Sequence, residues 1–153
     1  MTAPTLVSLA VEVLTPGMAT TVQDWPGRTG YWQVGVPPSG PMDDLSFRLA
    51  NTAVGNPEGA PALEATMLGP TLRFTAAARV CVTGAPAPIA VNGRPVPAYK
   101  PIAVNDGDVL SVGAVEAGMR TYIAVSGGFD VEEYLGSAST FTLGRFGGHL
   151  GRT

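Results

Sequence analysis

The turn signals in the second half of the chain constrain its fold more than any other feature. Asn92-Gly93 sits between the apolar runs Ile89-Ala90-Val91 and Pro95-Val96, and Asn105-Asp106-Gly107 divides Ile102-Ala103-Val104 from Val109-Leu110-Ser111-Val112. An Asn-Gly pair in this setting is the strongest short hairpin signal, because both residues accept the positive φ of a type I′ turn. Residues 63–67, 71–75 and 79–83 are similar short runs, set apart by Gly69-Pro70 and Ala76-Ala77. Upstream, residues 5–14 and 19–23 read as two strands around Thr15-Pro16-Gly17, and residues 119–125 as the last. Strands recurring about every ten residues predict a mainly β barrel or sandwich. The 20 Gly and 14 Pro suit many turns and short strands.

One segment departs from this texture. Residues 43–54 carry a helix pattern, with Asp43 as N-cap, Asp44 in the first turn and Gly55 followed by Pro57 as a stop. Leu45, Leu49 and either Ala53 or Val54 fall at near-i+4 spacing and predict its buried face. Ahead of it runs Gly35-Val36-Pro37-Pro38-Ser39-Gly40-Pro41-Met42-Asp43, a loop stiffened by Pro and Gly that presents a hydroxyl and a carboxylate. Local chemistry alone favours a rigid connector ending in a helix cap.

Composition excludes several functions. The net charge is −3 and the only Lys is Lys100, so there is neither a basic nucleic-acid surface nor a polybasic membrane patch. Cys81 is the single cysteine and His149 the single histidine, which rules out an intrachain disulfide and a Cys- or His-rich metal site. Cys81 lies in a strand-like run and reads as a buried thiol. No run reaches transmembrane length, no signal-peptide pattern opens the chain, and the expected location is cytoplasmic. The Gly-rich tail from Gly127 to Arg152 lacks a P-loop pattern and reads as a long loop or frayed end. The 153 residues suit one domain.

A set of ordered motifs then adds a family. Thr20-Thr21-Val22-Gln23-Asp24, Gly27-Arg28-x-Gly30-Tyr31 and Gly35-Val36-Pro37-x-Ser39-Gly40-Pro41-Met42-Asp43 are followed by Ser46-x-Arg48-Leu49-Ala50-Asn51, Val54-Gly55-Asn56, Leu63-Glu64 and Gly69-Pro70. Thr83-Gly84-Ala85, Asn92-Gly93, Tyr122-x-Ala124-Val125-x-Gly127-Gly128 and Leu135-Gly136-Ser137-x-Ser139-Thr140 complete the series. The chain resembles the biotin-dependent carboxyltransferase A/B family from about residue 9 onward. That family includes the C-type subunit of 5-oxoprolinase (the KipA-type proteins), allophanate hydrolase subunit 2 and the carboxyltransferase region of urea carboxylase.

The resemblance implies a cyclophilin-like β-barrel with one short helix near residues 43–54, forming the N-terminal part of a unit whose C-terminal half is absent. Met1 precedes the pattern by only a few residues, and on that ground the role expected first is a component of an ATP-dependent 5-oxoprolinase that opens 5-oxo-L-proline to L-glutamate. Its partners would be the other two 5-oxoprolinase subunits, the A-type one and the B-type one that resembles the Kip inhibitor, with ATP used at the level of the complex. The alternatives are a urea carboxylase/allophanate hydrolase-type carboxyltransferase component using carboxybiotin, and a KipA-type regulator that binds a histidine-kinase inhibitor. Lys100 lacks the context of a biotin carrier, so biotin would arrive on another protein.

By family position, Asp43 and Ser39 are the expected catalytic residues. Arg28, Gly40, Met42, Glu64, Gly128, Ser137, Ser139 and Thr140 are the expected substrate-binding set. Ser39 and the amides around Gly40 are expected to bind the substrate carbonyl. Arg28 is open between an ion pair with Asp24 that braces the intervening turn and a clamp on a substrate carboxylate. Glu64, if it faces inward, requires a partner or a raised pKa.

Overall fold

The computed structural model describes residues 10–149 and 151. Residues 5–9 of the first expected strand lie outside the described residues, as do Leu150 and Arg152 of the tail. The described strands are β1 (Val11–Thr15), β2 (Ala19–Gln23), β3 (Ala62–Thr66), β4 (Thr71–Phe74), β5 (Ala78–Gly84), β6 (Ile89–Val91), β7 (Arg94–Pro95), β8 (Ile102–Val104), β9 (Val109–Val112) and β10 (Arg120–Val125). The helix α1 spans Asp44–Val54. The chain is mainly β with one short helix, as the turn spacing and the family pattern imply.

The strands form two five-stranded sheets, ordered β1-β4-β9-β6-β7 and β2-β3-β10-β5-β8, with antiparallel pairing throughout. Asn92 and Gly93 take φ of 51° and 76°, as a type I′ hairpin turn requires, and join β6 to β7. The sheets face one another across Leu72, Phe74, Leu110 and Val112 from one side and Val80, Val82, Ile123 and Val125 from the other. Alternation along each strand supplies this core, since residues two apart share a face.

The same alternation gives the second sheet an outer face, and α1 covers it. Phe47, Ala50 and Val54 pack on Ala62, Cys81, Tyr122 and Ala124, with the Phe47 ring edge-on to Tyr122 at 5.9 Å. Burial pushes the Cys81 thiol pKa up, which keeps it protonated and unreactive. The helix ends match the sequence reading: Asp43 accepts from the Ser46 N–H, and Gly55 adopts φ 85° at the C-terminus. The buried face matches at Val54 but not at the two leucines. Leu45 is 61% exposed and Leu49 is 44% exposed, because Phe47, three residues from Ala50 and seven from Val54, docks against Tyr122 instead.

Register sets a polar row across this outer face. Thr21 on β2 lies opposite Glu64 on β3, Glu64 opposite Tyr122 on β10, and Tyr122 opposite Thr83 on β5. Thr83 donates to the Ser46 carbonyl of α1 at 2.6 Å. Below, between the two sheets, a cleft of about 620 Å³ opens along β1 and β2, lined mainly by apolar side chains including Val11, Val22, Leu63 and Leu72. Among the described residues no helix is long and apolar enough to cross a membrane.

Candidate functional site

The polar row carries the Pro/Gly loop that leads into α1. Gly40 N–H donates to Gln23 Oε1 at 2.9 Å, Met42 N–H to Glu64 Oε2 at 2.7 Å, and Asp43 N–H to Tyr122 Oη at 2.8 Å. Tyr122 in turn donates to Glu64 Oε2 at 2.9 Å. A buried carboxylate with two donors on one oxygen is well placed to hold two separate chain segments together. Burial and the neighbouring Glu64 charge raise the Tyr122 phenol above its ordinary pKa, so the hydroxyl stays protonated and keeps donating.

This geometry changes the expected role of the loop amides. The family pattern assigns Gly40 and Met42 to substrate, with the amides around Gly40 binding its carbonyl. The Gly40, Met42 and Asp43 N–H groups instead turn onto the sheet and are each already bonded. They shape the loop rather than serve as open oxyanion donors. The half-buried Ser39 keeps a hydroxyl with no hydrogen bond among the described residues, and Asp43 is exposed. Ser39 adopts φ 54°, a conformation that costs a side-chain-bearing residue about 1–2 kcal/mol. Asp43 accepts from the Ser46 N–H at 3.0 Å and from its hydroxyl at 2.5 Å, so it is both helix cap and fixed carboxylate.

Asp24 and Arg28 make no direct ion pair among the described residues, and both reach across to the C-terminal tail. Arg28 is 1% exposed and donates to the carbonyls of Tyr134, Ser137 and Ser139 at 2.8, 3.2 and 2.9 Å. Its guanidinium also lies 4.8 Å from the Phe146 ring centroid and 5.9 Å from that of Tyr134. Burial lowers its pKa, with the Asp24 charge opposing the shift. The expected substrate clamp is thus turned inward onto backbone. Asp24 accepts from the hydroxyls of Ser137 and Ser139, both at 2.5 Å, and from the Ala138 N–H at 2.9 Å. Thr140 donates through both its N–H and its hydroxyl to the Val22 carbonyl.

Two networks result. One joins Gln23, Gly40, Met42, Asp43, Glu64 and Tyr122. The other joins Asp24, Arg28, Ser137 and Ser139, with Thr140 bonded beside it to Val22. The Arg28 N–H, bonded to the Pro38 carbonyl at 2.6 Å, links them. Gly27 makes that approach possible, since a Cβ there would stand 2.6 Å from the same carbonyl oxygen. Gly128 stands apart, lining the inter-sheet cleft with Phe129 and His149. Among the described residues Asp130 and His149 are the cleft's only ionisable liners, whereas Asp43 and Glu64 lie at the outer face.

Sequence reasoning counts Gln23 and Tyr122 among the family motifs but gives neither them nor Arg120 a role. Arg120, at the start of β10, brings Nε to 3.4 Å from Glu64 Oε1. Glu64 therefore faces inward and is paired, as an inward carboxylate in a strand requires. The signal that finds its partners is register, which places residues 64 and 122 opposite one another.

The loop is thus a stiff segment fixed on a sheet face by a buried carboxylate, with the exposed Asp43 carboxylate at its end. Residues 34–153 match the family model described as carboxyltransferase domain, subdomain A and B, and the chain belongs to that family. It is 54% identical over 143 residues to the urea amidolyase of Lachancea kluyveri, covering 94% of this chain and 8% of that protein. It is 37% identical over 142 residues to the C-type subunit of 5-oxoprolinase from Escherichia coli, covering 93% of this chain and 46% of that one. The crystal structure of the Kluyveromyces lactis urea amidolyase superposes with a TM-score of 0.91 at 54% identity, over 93% of this chain and 9% of that one. The relatives are enzymes or enzyme components, and the chain spans less than half the length of either curated relative.

Proposed function

We propose that this chain forms the first part of a carboxyltransferase site of the urea carboxylase type, in which a carboxyl group moves from carboxylated biotin to a nitrogen of urea. The observation that carries this reading is the gap between 54% and 37% identity over nearly the same stretch. It reverses the order of the expectations, which put 5-oxoprolinase first. The carboxyl donor, carried by another polypeptide segment, supplies the group that is transferred. Asp43 is exposed and Ser39 half-buried in the loop ahead of it, which suits a substrate delivered from outside. Asp43 accepts from the urea N–H groups and Ser39 donates to the urea carbonyl, while Glu64 and Tyr122 hold both in place through the loop.

The second reading, a 5-oxoprolinase component working with its A-type and B-type partners and with ATP, rests on the Escherichia coli relative. Chimeras separate the two. Residues 10–149 replace the matching segment either in the Lachancea kluyveri urea amidolyase or in the Escherichia coli 5-oxoprolinase component. Retained biotin- and ATP-dependent urea carboxylation in the first, with lost 5-oxoproline cleavage in the second, is the expected result. The opposite pattern would overturn the proposal.

A further inference from the structure

We infer that Asn92-Gly93 is a modification site, at which the asparagine converts spontaneously to aspartate and isoaspartate through a succinimide, and that Asp108 and Val109 hold this reaction in check. Asn92 is the only asparagine of the chain that precedes a glycine. Glycine puts no side chain in the way of its own nitrogen. Both residues are exposed, and a Cβ built at Gly93 would meet nothing within 4 Å, so the turn stands open to water. In the reaction the Gly93 nitrogen attacks Asn92 Cγ and a new N–C bond forms. The Cγ–Nδ2 bond breaks, and ammonia leaves with the proton that the Gly93 nitrogen gives up. Water then opens the ring at either carbonyl, giving aspartate or isoaspartate, and no oxidant or reductant is needed.

The fold holds Asn92 at three atoms. Its N–H donates to the Val109 carbonyl and its Oδ1 accepts from the Val109 N–H, both at 2.9 Å. The side chain thus stands in for a backbone carbonyl and adds one more rung to the β6–β9 ladder, beyond the pair Val91 and Leu110. Nδ2 donates to Asp108 Oδ1 at 2.7 Å. Asp108 is itself fixed, since its Oδ2 accepts from the Asn105 N–H at 2.7 Å and its carbonyl from the Phe74 N–H at 2.9 Å. The bonds from Asn105 and Asn92 hold its carboxyl below the usual pKa, so the acceptor facing Nδ2 is a charged one.

Ring closure carries Cγ onto the Gly93 nitrogen, which Asn92 cannot do while Oδ1 and Nδ2 keep their partners. The reactive state is therefore a local opening, in which the β6–β7 turn comes away from Asp108 and the start of β9. The product removes its own clamp. A carboxylate at position 92 sets an oxygen where Nδ2 lies 2.7 Å from Asp108 Oδ1, so two anions meet in place of a donor and an acceptor. Isoaspartate also adds an atom to the backbone of the turn. Reclosure is then disfavoured, and one event leaves the turn unclamped. The turn belongs to the β1-β4-β9-β6-β7 sheet, whereas Glu64 and Tyr122 lie on the other, so nothing here depends on the carboxyltransferase reading.

The test is peptide mapping by mass spectrometry, with aspartate and isoaspartate resolved, of the 153-residue chain held at neutral pH both folded and in urea. In urea, Asn92 is expected to convert ahead of Asn51, Asn56 and Asn105. In the folded chain its conversion should be about a hundredfold slower, the closed population that one neutral and one charge-assisted bond maintain. Asp108→Ala should recover about tenfold of that rate while amide exchange at Val82 and Ile123 stays slow. Should this substitution unfold the chain, the unsubstituted chain decides. Conversion that accelerates at urea concentrations below the unfolding midpoint supports the local opening, and conversion that tracks global unfolding overturns it. Asn92→Asp should speed exchange at Val109 and Asn105 and leave that of Met42 and Asp43 unchanged. Equal rates in the folded and unfolded chain, earlier conversion of another asparagine in urea, an unchanged rate in folded Asp108→Ala, or unchanged Val109 exchange in Asn92→Asp would each overturn the inference.

Discussion

Tyr122 holds the loop through one oxygen, accepting from the Asp43 N–H while donating to Glu64. Tyr122→Phe removes both bonds and strands two polar partners. It should cost about 1–3 kcal/mol, read as a lower urea midpoint, with faster hydrogen exchange at Asp43. The raised phenol pKa adds a pH signature. The folded state keeps this proton to higher pH than the unfolded chain, so the unfolded state binds fewer protons once the free phenol begins to ionise. Stability should therefore be complete below about pH 10 and fall above it, and the fall should be shallower in Tyr122→Phe. At this scale the sequence is partly legible. Glu64 stands out as a carboxylate among apolar strand neighbours, and Asp43 as a cap. Tyr122 and Arg120 do not, because a tyrosine and an arginine in a strand carry no mark of what lies opposite. The inward turn of Arg28 is equally hidden, since its acceptors are backbone carbonyls more than a hundred residues away.

The helix shows which local signals suffice and which do not. Caps depend on residues adjacent in sequence, and both ends of α1 fall where Asp43 and Gly55 put them. The buried face depends on the surface that receives it. Leucine spacing points to Leu45 and Leu49, but the outer face of the sheet offers the Tyr122 ring beside the small side chains of Ala62, Cys81 and Ala124, and Phe47 with Ala50 fits that surface. Phe47→Ala should consequently destabilise by about 3–5 kcal/mol. The double variant Leu45→Gln, Leu49→Gln should stay within about 0.5 kcal/mol per site of the unsubstituted chain in the same denaturation assay. A large loss in the double variant would mean that the exposed leucines contribute to the core after all. Asn51 and Asn56 anchor the other end. Asn51 donates to the Ala60 carbonyl at 2.8 Å, while Asn56 donates to the Val125 carbonyl and accepts from the Gly127 N–H, both at 2.8 Å.

Across the whole molecule, the apolar core lies between the sheets, and the loops that carry polar side chains are tied to one outer face and its margin. The strand count and turn positions are readable because hairpins are local. The tail is not, since a Gly-rich run of low periodicity gives no sign of long-range anchors. Far from fraying, it buries residues 137–140 against the turn after β2. Asp24 is the centre of that anchorage, and the Arg28 N–H bond to Pro38 passes it on to the loop. If the two networks are one mechanical unit, cutting the tail free should loosen the loop. Asp24→Ala should accelerate hydrogen exchange at Ala138 and Thr140 first, and at Gly40 and Met42 to a smaller extent, while Val82 and Ile123 in the sheet keep their protection. Loss of protection everywhere at once would mean that the tail is part of the global folding unit. Acceleration confined to the tail would mean that the loop is held by Gln23, Glu64 and Tyr122 alone, and that the tail contributes nothing to the placement of Ser39 and Asp43.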